Sequence, residues 1–262
     1  MTDFPAPPAA QPRKRRFSPL LALFVVFVVA GAALAATGVA KVLGYGMVTV
    51  HGASMGTTIR SGDSVVFDWA ARSEIHRGDL VVFQADALPG MPQGARLLKR
   101  VIGVGGDRLS CCGPDDRLEV DGKAVTEPYL DPKESAAAGA AVEFSARVPP
   151  GSIFVAGDTR AVSNDSRFYA DSPGGGAIPL SKVDGVVVAK GTLFSSEPVQ
   201  PTTAFTDTGL PGESTEDTGL PNGRYLAAGG AALFLLGFIG AIVTVVRSAG
   251  RRRRAAAGPA VR

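Results

Sequence analysis

Hydrophobic and polar positions along the chain fall into three patterns. Residues 19–40 and 225–246 are almost wholly apolar and carry no charge. As helices of about 22 residues they reach roughly 33 Å at ~1.5 Å per residue, enough to cross a bilayer. Residues 41–194 instead show short β-type runs at 47–50, 64–67, 80–84, 97–104, 118–120, 143–148, 153–156 and 185–189. Turn residues separate them, among them Gly62-Asp63, Gly78-Asp79, Gly105-Gly106-Asp107, Asp121-Gly122 and Pro149-Pro150-Gly151. No long amphipathic helix competes, so the pattern predicts an all-β domain. A single helical turn is expected at Trp69-Ala70-Ala71-Arg72.

The third pattern is polar. Residues 195–224 are rich in Pro, Thr, Ser, Glu and Gly, and Asp207-Thr208-Gly209-Leu210-Pro211-Gly212 nearly recurs as Asp217-Thr218-Gly219-Leu220-Pro221-Asn222. That composition predicts a flexible linker. Residues 1–18 and 247–262 are basic tails, the first expected to be disordered. The predicted order is therefore tail (1–18), transmembrane helix (19–40), antiparallel β-sheet domain (41–194), linker (195–224), transmembrane helix (225–246) and tail (247–262). The fold class is mainly β.

Charge gives this layout a direction. The 262 residues carry a net +3, but residues 1–18 hold +3, residues 247–262 hold +6, and everything between holds −6. Basic residues flank the outer ends of both apolar segments, whereas only Lys41 and Arg224 flank the inner ends. The positive-inside rule places both termini in the cytoplasm and the β domain on the extracytoplasmic side of the cell membrane. The basic runs read as topology signals or contacts with the lipid bilayer, not as a nucleic-acid site. Ala33-Leu34-Ala35 after an apolar core also fits a secretory signal. The expectation is retention, because the apolar run is long enough to span.

Chemistry-bearing residues are few. Cys111 and Cys112 are adjacent and the only cysteines, too few for a zinc site; on an outer face they are open to oxidation to each other or to cross-linking of chains, and by default they read as a quiet pair in a turn. No metal or other cofactor is implied. Ser54 lies in His51-Gly52-Ala53-Ser54-Met55-Gly56, where small residues let another backbone approach. Read alone, this is a polar turn as readily as a nucleophile loop, because a serine needs a base. His51 and His76 read as surface residues. Lys99 interrupts the apolar run Leu97-Leu98-Lys99-Arg100-Val101-Ile102. It is either the wet face of a strand or a buried amine, and burial lowers a lysine pKa enough for it to take a serine proton. The polar block Gly157-Asp158-Thr159-Arg160-Ala161-Val162-Ser163-Asn164-Asp165-Ser166-Arg167 reads as a solvated loop or as a loop orienting those groups.

Taken together, Gly52-Ala53-Ser54-Met55, Arg77-Gly78-Asp79-Leu80, Lys99-Arg100-Val101-Ile102-Gly103 and the Gly157–Arg167 block resemble the type I signal peptidases of the bacterial serine–lysine kind. Val120-Asp121-Gly122-Lys123 and Glu127-Pro128-Tyr129-Leu130 are similar to that family's small inserted β region. The resemblance implies a membrane-bound serine endopeptidase that removes signal peptides from exported preproteins after Ala-x-Ala. It implies Ser54 as nucleophile, Lys99 as general base, and Ser163 as a hydroxyl that orients the lysine. It also implies Asp158 and Arg160 as supporting turn residues, Asp165 and Arg167 as a supporting ion pair, and Met55 and Leu98 as linings of the substrate pockets. Three positions depart from the family pattern: Gly52 where some relatives carry an oxyanion-binding hydroxyl, Thr57 where Pro is common, and Thr159 where Asn is common. The rival expectations are a self-cleaving serine–lysine peptidase and an inactive tethered binding module of the same fold.

Overall fold

The structure is a computed structural model that describes residues 18–112, 116–130 and 142–256. Residues 1–17, for which disorder is expected, and the last six residues of the C-terminal tail lie outside it. The chain divides into two compact units: the two long helices, up to Val39 and from Tyr225, and the domain Ala40–Arg224.

The helices are α1 (Pro19–Val42) and α2 (Gly219–Ala256). Each is long and apolar enough to cross a membrane. They pack antiparallel through glycines. A Cβ on Gly237 would lie 2.8 Å from Phe24 O and Val28 N, and one on Gly31 would lie 2.8 Å from Gly230 O. Small residues of this kind let two apolar backbones approach where lipid offers no hydrophobic drive for association. Helix α2 starts earlier than its apolar run suggests. The Asp217 carboxylate accepts from the N–H groups of Gly219 and Leu220, at 3.2 and 2.9 Å, and so caps the helix. Pro221 is tolerated there because first-turn N–H groups have no helical acceptor.

The domain is antiparallel β throughout. Its strands are β1 (Tyr45–Thr49), β2 (Ser64–Asp68), β3 (Leu80–Gln84), β4 (Arg96–Val104), β5 (Arg108–Cys111), β6 (Glu119–Val120), β7 (Lys123–Ala124), β8 (Phe144–Arg147), β9 (Ser152–Ala156), β10 (Ile178–Pro179), β11 (Val183–Gly191) and β12 (Ser196–Pro198). The larger sheet runs β1-β2-β11-β3-β4-β9-β10 with β12 beside β11; the smaller runs β7-β6-β5-β8. One helical turn, Ala70–Ser73, follows β2 as expected. Of the strands not expected, β7, β10 and β12 span only two or three residues each, too short for alternation to register, and β5 holds two polar residues.

Alternation along β3 divides the apolar packing between the two faces of the larger sheet. Leu80 and Val82 pack with Met55, Ile59, Val65, Phe67 and Leu98. Val81 and Phe83 pack with Val101, Ile153, Val155 and Ile178. A separate cluster sits under the smaller sheet, with Ile102, Leu109, Val120 and Phe154 at its centre.

The expected linker is not a free tether. Within it, β12 pairs with β11, and Ala204, Phe205 and Leu210 are buried in the cluster under the smaller sheet. Arg77 Nη1 donates to Pro211 O at 2.6 Å, Lys123 Nζ donates to Gly209 O at 2.8 Å, and Ser214 donates to Asp79. Composition missed this because a few buried apolar residues, Phe205 the largest of them, anchor a segment that is mostly polar. Of the states left open for the adjacent cysteines, the structure shows the oxidised one: Cys111 and Cys112 are disulfide-bonded to each other.

Candidate active site

Three segments meet at the site. The loop after β1 is closed by two backbone hydrogen bonds, Val50 N to Asp63 O at 2.8 Å and Gly62 N to Val50 O at 2.7 Å. Lys190 ties down its exit by an ion pair with Asp63 at 2.7 Å. This closure holds Ser54 between strands. Strand β4 supplies Lys99, which stands opposite Val81 on β3. Leu97 and Val101, two residues either side, share its face. The third segment, which follows β9, carries Gly157 to Arg167.

Lys99 Nζ donates to Ser54 Oγ at 2.6 Å. Lys99 is only 3% exposed, which removes the reading of it as a solvent-facing strand residue. Burial in these aliphatic surroundings lowers its pKa from 10.5 to about 8. Asp165 opposes that fall, the Arg167 charge adds to it, and Asp158 opposes it again. An amine so placed reaches its neutral form within reach of neutral pH, and the proton it would accept lies one hydrogen bond away.

The third segment is locked to the serine loop. Thr159 N donates to Ser54 O at 2.9 Å. Asp158 accepts from Thr58 Oγ1 at 2.7 Å and from Arg100 Nε and Nη2 at 2.8 and 2.7 Å. Arg100 is the strand neighbour of Lys99, and its third arm donates to Gly78 O at 2.8 Å. Gly157 has no room for a side chain: a Cβ there would stand 2.5 Å from Ser54 O and 2.6 Å from Ser163 Cβ. Gly157 N donates to Asp165 Oδ2 at 3.0 Å, and Arg167 grips the same carboxylate through Nε at 2.8 Å and Nη2 at 3.0 Å. Arg160 Nε donates to Gly157 O at 3.1 Å, while its Nη2 donates to Glu127 at 2.5 Å. Tyr129 donates to that same Glu127 oxygen, and its ring lies 4.0 Å under the Arg100 guanidinium.

Not every candidate falls where the sequence places it. Ser163 is buried beside Gly157, but its Oγ has no hydrogen-bond partner and does not pair with Lys99. Leu98 lines an open groove of about 220 Å³ together with Val48, Val50, Gly52, Ser54 and Lys99. Met55 does not line it. It is fully buried among Ile59, Val65 and Phe67, because the residue after Ser54 turns its apolar side chain into the core. Glu127 and Thr58 hold site residues although neither carried an expected role. The Glu127–Arg160 contact joins positions 33 apart, and no periodicity in the sequence spans that distance.

The family model described as signal peptidase, peptidase S26, matches residues 20–191. This chain belongs to the S26 signal peptidase family. Among curated proteins, signal peptidase I V of Bacillus subtilis is 37% identical over 131 residues, which is 46% of this chain and 73% of that protein. Signal peptidase I of Bacillus caldolyticus is 36% identical over 149 residues, covering 53% and 74% respectively. Signal peptidase I U of Bacillus subtilis is 30% identical over 161 residues, covering 59% and 80%. A solved signal peptidase I from Enterococcus faecalis aligns with 43% of this chain and 95% of its own, at 28% identity and a TM-score of 0.34. In this S26 peptidase the segment after residue 191, with β12, the buried Phe205 and helix α2, lies beyond the family match.

Proposed function

We propose that the protein is a membrane-anchored serine endopeptidase that cleaves signal peptides from exported preproteins, with Ser54 as nucleophile and Lys99 as general base. The observation that carries this reading is the 2.6 Å contact between the buried Lys99 amine and the Ser54 hydroxyl in the loop after β1. The neutral Lys99 amine takes the Ser54 hydroxyl proton as Oγ attacks the scissile carbonyl carbon. The resulting oxyanion accepts from the Ser54 backbone N–H. Collapse breaks the C–N bond, and Lys99 hands its proton to the departing amine, which is the new N-terminus of the mature protein. A water, deprotonated by the same amine, then attacks the Ser54 ester and releases the signal peptide as a carboxylate.

In this reading Asp158, Arg160, Asp165 and Arg167 hold the loops that position the dyad and do not touch the reacting atoms. Ser163 orients Lys99 once substrate closes the site, a role supported by its buried, unpaired hydroxyl. The substrate lies extended in the groove beside β1 and β4, and pairing through its main chain leaves alternate side chains to be read by shallow pockets. That supports a preference for small residues, as in Ala-x-Ala. Helices α1 and α2 span the membrane with both termini cytoplasmic and the β domain outside, as the basic flanks imply. Anchoring raises the effective concentration of a substrate that is itself held in the membrane.

The purified full chain is assayed on a preprotein with Ala-x-Ala before its cleavage site, beside Ser54→Ala and Lys99→Ala. Cleavage by the unaltered chain and its loss in both variants is the expected result. No cleavage by the unaltered chain overturns the enzyme reading, and activity surviving Lys99→Ala overturns the dyad. Thr215→Cys is expected to react with an impermeant thiol reagent added outside intact cells; protection there overturns the orientation.

A further inference from the structure

Where the start of α1 meets the end of α2, the two helices enclose a cleft of about 630 Å³. That is the size range of small-molecule sites. Arg247, Arg251 and Arg252 line it. Neither helix contains an acidic residue, so within this helix pair the three guanidinium groups have no carboxylate to pair with. Ser18, just before α1, lines the opposite wall. The Ser248 hydroxyl also lines the cleft, with its hydrogen already given to Val245 O at 2.7 Å, so the donors here are the arginines. The polar end of the cleft thus offers donors and positive charge.

The other end is apolar. Leu20, Leu21 and Val243 line it, and Leu20 and Val243 are 50% and 40% exposed, continuing into the apolar outer surface of both helices. A small inorganic anion would use only the polar half. An anionic phospholipid uses both, with its phosphate between the arginines and its acyl chains against the aliphatic wall.

We propose that this cleft is a binding site for the headgroup phosphate of an anionic phospholipid. Arginine suits the task, because its planar fork meets phosphate oxygens in pairs, and basic pockets between membrane helices are known to hold such headgroups. The proposal rests on the helices crossing a membrane and not on the peptidase chemistry, so it stands or falls apart from the Ser54–Lys99 reading.

The test uses the purified full chain in nonionic detergent, with lipid retention measured by native mass spectrometry. Phosphatidylglycerol is compared with phosphatidylcholine, and inorganic phosphate in large excess serves as competitor. Arg247→Gln, Arg251→Gln and Arg252→Gln are each set against Arg253→Gln, which removes the same charge from a residue that does not line the cleft. The midpoint of thermal unfolding checks that every variant is folded. Retention of phosphatidylglycerol over phosphatidylcholine is expected, weakened about fivefold by each lining substitution and less than about twofold by Arg253→Gln. No preference for phosphatidylglycerol overturns the site. An equal effect of Arg253→Gln reduces it to general surface charge, and full displacement by inorganic phosphate makes it a free-anion site; either result also overturns the proposal.

Discussion

Arg100 and Asp158 form a buried two-armed ion pair, at 2.8 and 2.7 Å, and Asp158 also accepts from Thr58 at 2.7 Å. Lys99 and Arg100 are consecutive on β4, so their side chains leave opposite faces of the strand. Both nevertheless serve one loop. Lys99 reaches Ser54 itself, and Arg100 reaches the carboxylate that holds Thr58, four residues on.

Removing one member of that pair leaves a buried charge without its partner. Asp158→Ala is expected to cost about 3–5 kcal/mol of stability. It should also lower kcat more than it raises KM, because the serine loop loses its tie at Thr58. Denaturant unfolding beside steady-state kinetics checks both. A variant that stays within about 1 kcal/mol of the parent chain would show that the pair is not a determinant of the site.

Lys99 makes both activity and stability rise with pH, over adjoining ranges. As a base it works neutral, so kcat/KM should rise with pH to a midpoint near 8 and then level off. Its folded pKa lies below its unfolded value of 10.5, so the unfolded chain binds more protons between about 8 and 10.5. Stability therefore rises with pH across that window, and below pH 8 the burial costs on the order of 3 kcal/mol. Lys99→Met should abolish cleavage and raise stability at pH 7, with the gain shrinking as pH approaches 10.5. Thermal melts at several pH values test this, and a gain that does not change with pH would contradict it.

Gly52 marks the missing hydroxyl donor, and the space for one exists. A Cβ at Gly52 meets nothing within 4 Å. Gly52→Ser should fold normally and raise kcat by up to about tenfold, since a donor aimed at a developing oxyanion is worth about 10²–10³ where it is well placed. Single-turnover acylation rates are the direct readout, and no gain would mean that this position does not face the oxyanion.

Phe205 should be the anchor of the segment from β12 to α2. It is 1% exposed and sits in the cluster under the smaller sheet. Phe205→Ala should cost about 3–5 kcal/mol. It should also make the 199–217 segment open to limited proteolysis, whereas an unchanged digestion pattern would show that the backbone hydrogen bonds hold the segment unaided.

The sequence by itself determined the two long apolar helices, most of the longer strands and the order of the site blocks. An unbroken charge-free run of 22 residues reads the same in any context, and so do apolar runs cut by Gly-Asp turns. Leu80–Gln84 was legible to the residue because both of its faces are buried and turn residues bound it. Ser54 and Lys99 were legible as candidates because each is the odd residue in its surroundings. Only the tertiary structure decided how the blocks lock together. Whether Lys99 is wet or buried depends on which strands flank β4, and Met55 turns inward because the core cluster on that face of the sheet needs it. The fate of residues 195–224 turned on a few buried apolar side chains, Ala204, Phe205 and Leu210, and on the pairing of β12, which composition averages away. The partners of Arg100 and Arg160 lie far off in the sequence, and side chains so widely separated become neighbours only when the sheet has been assembled.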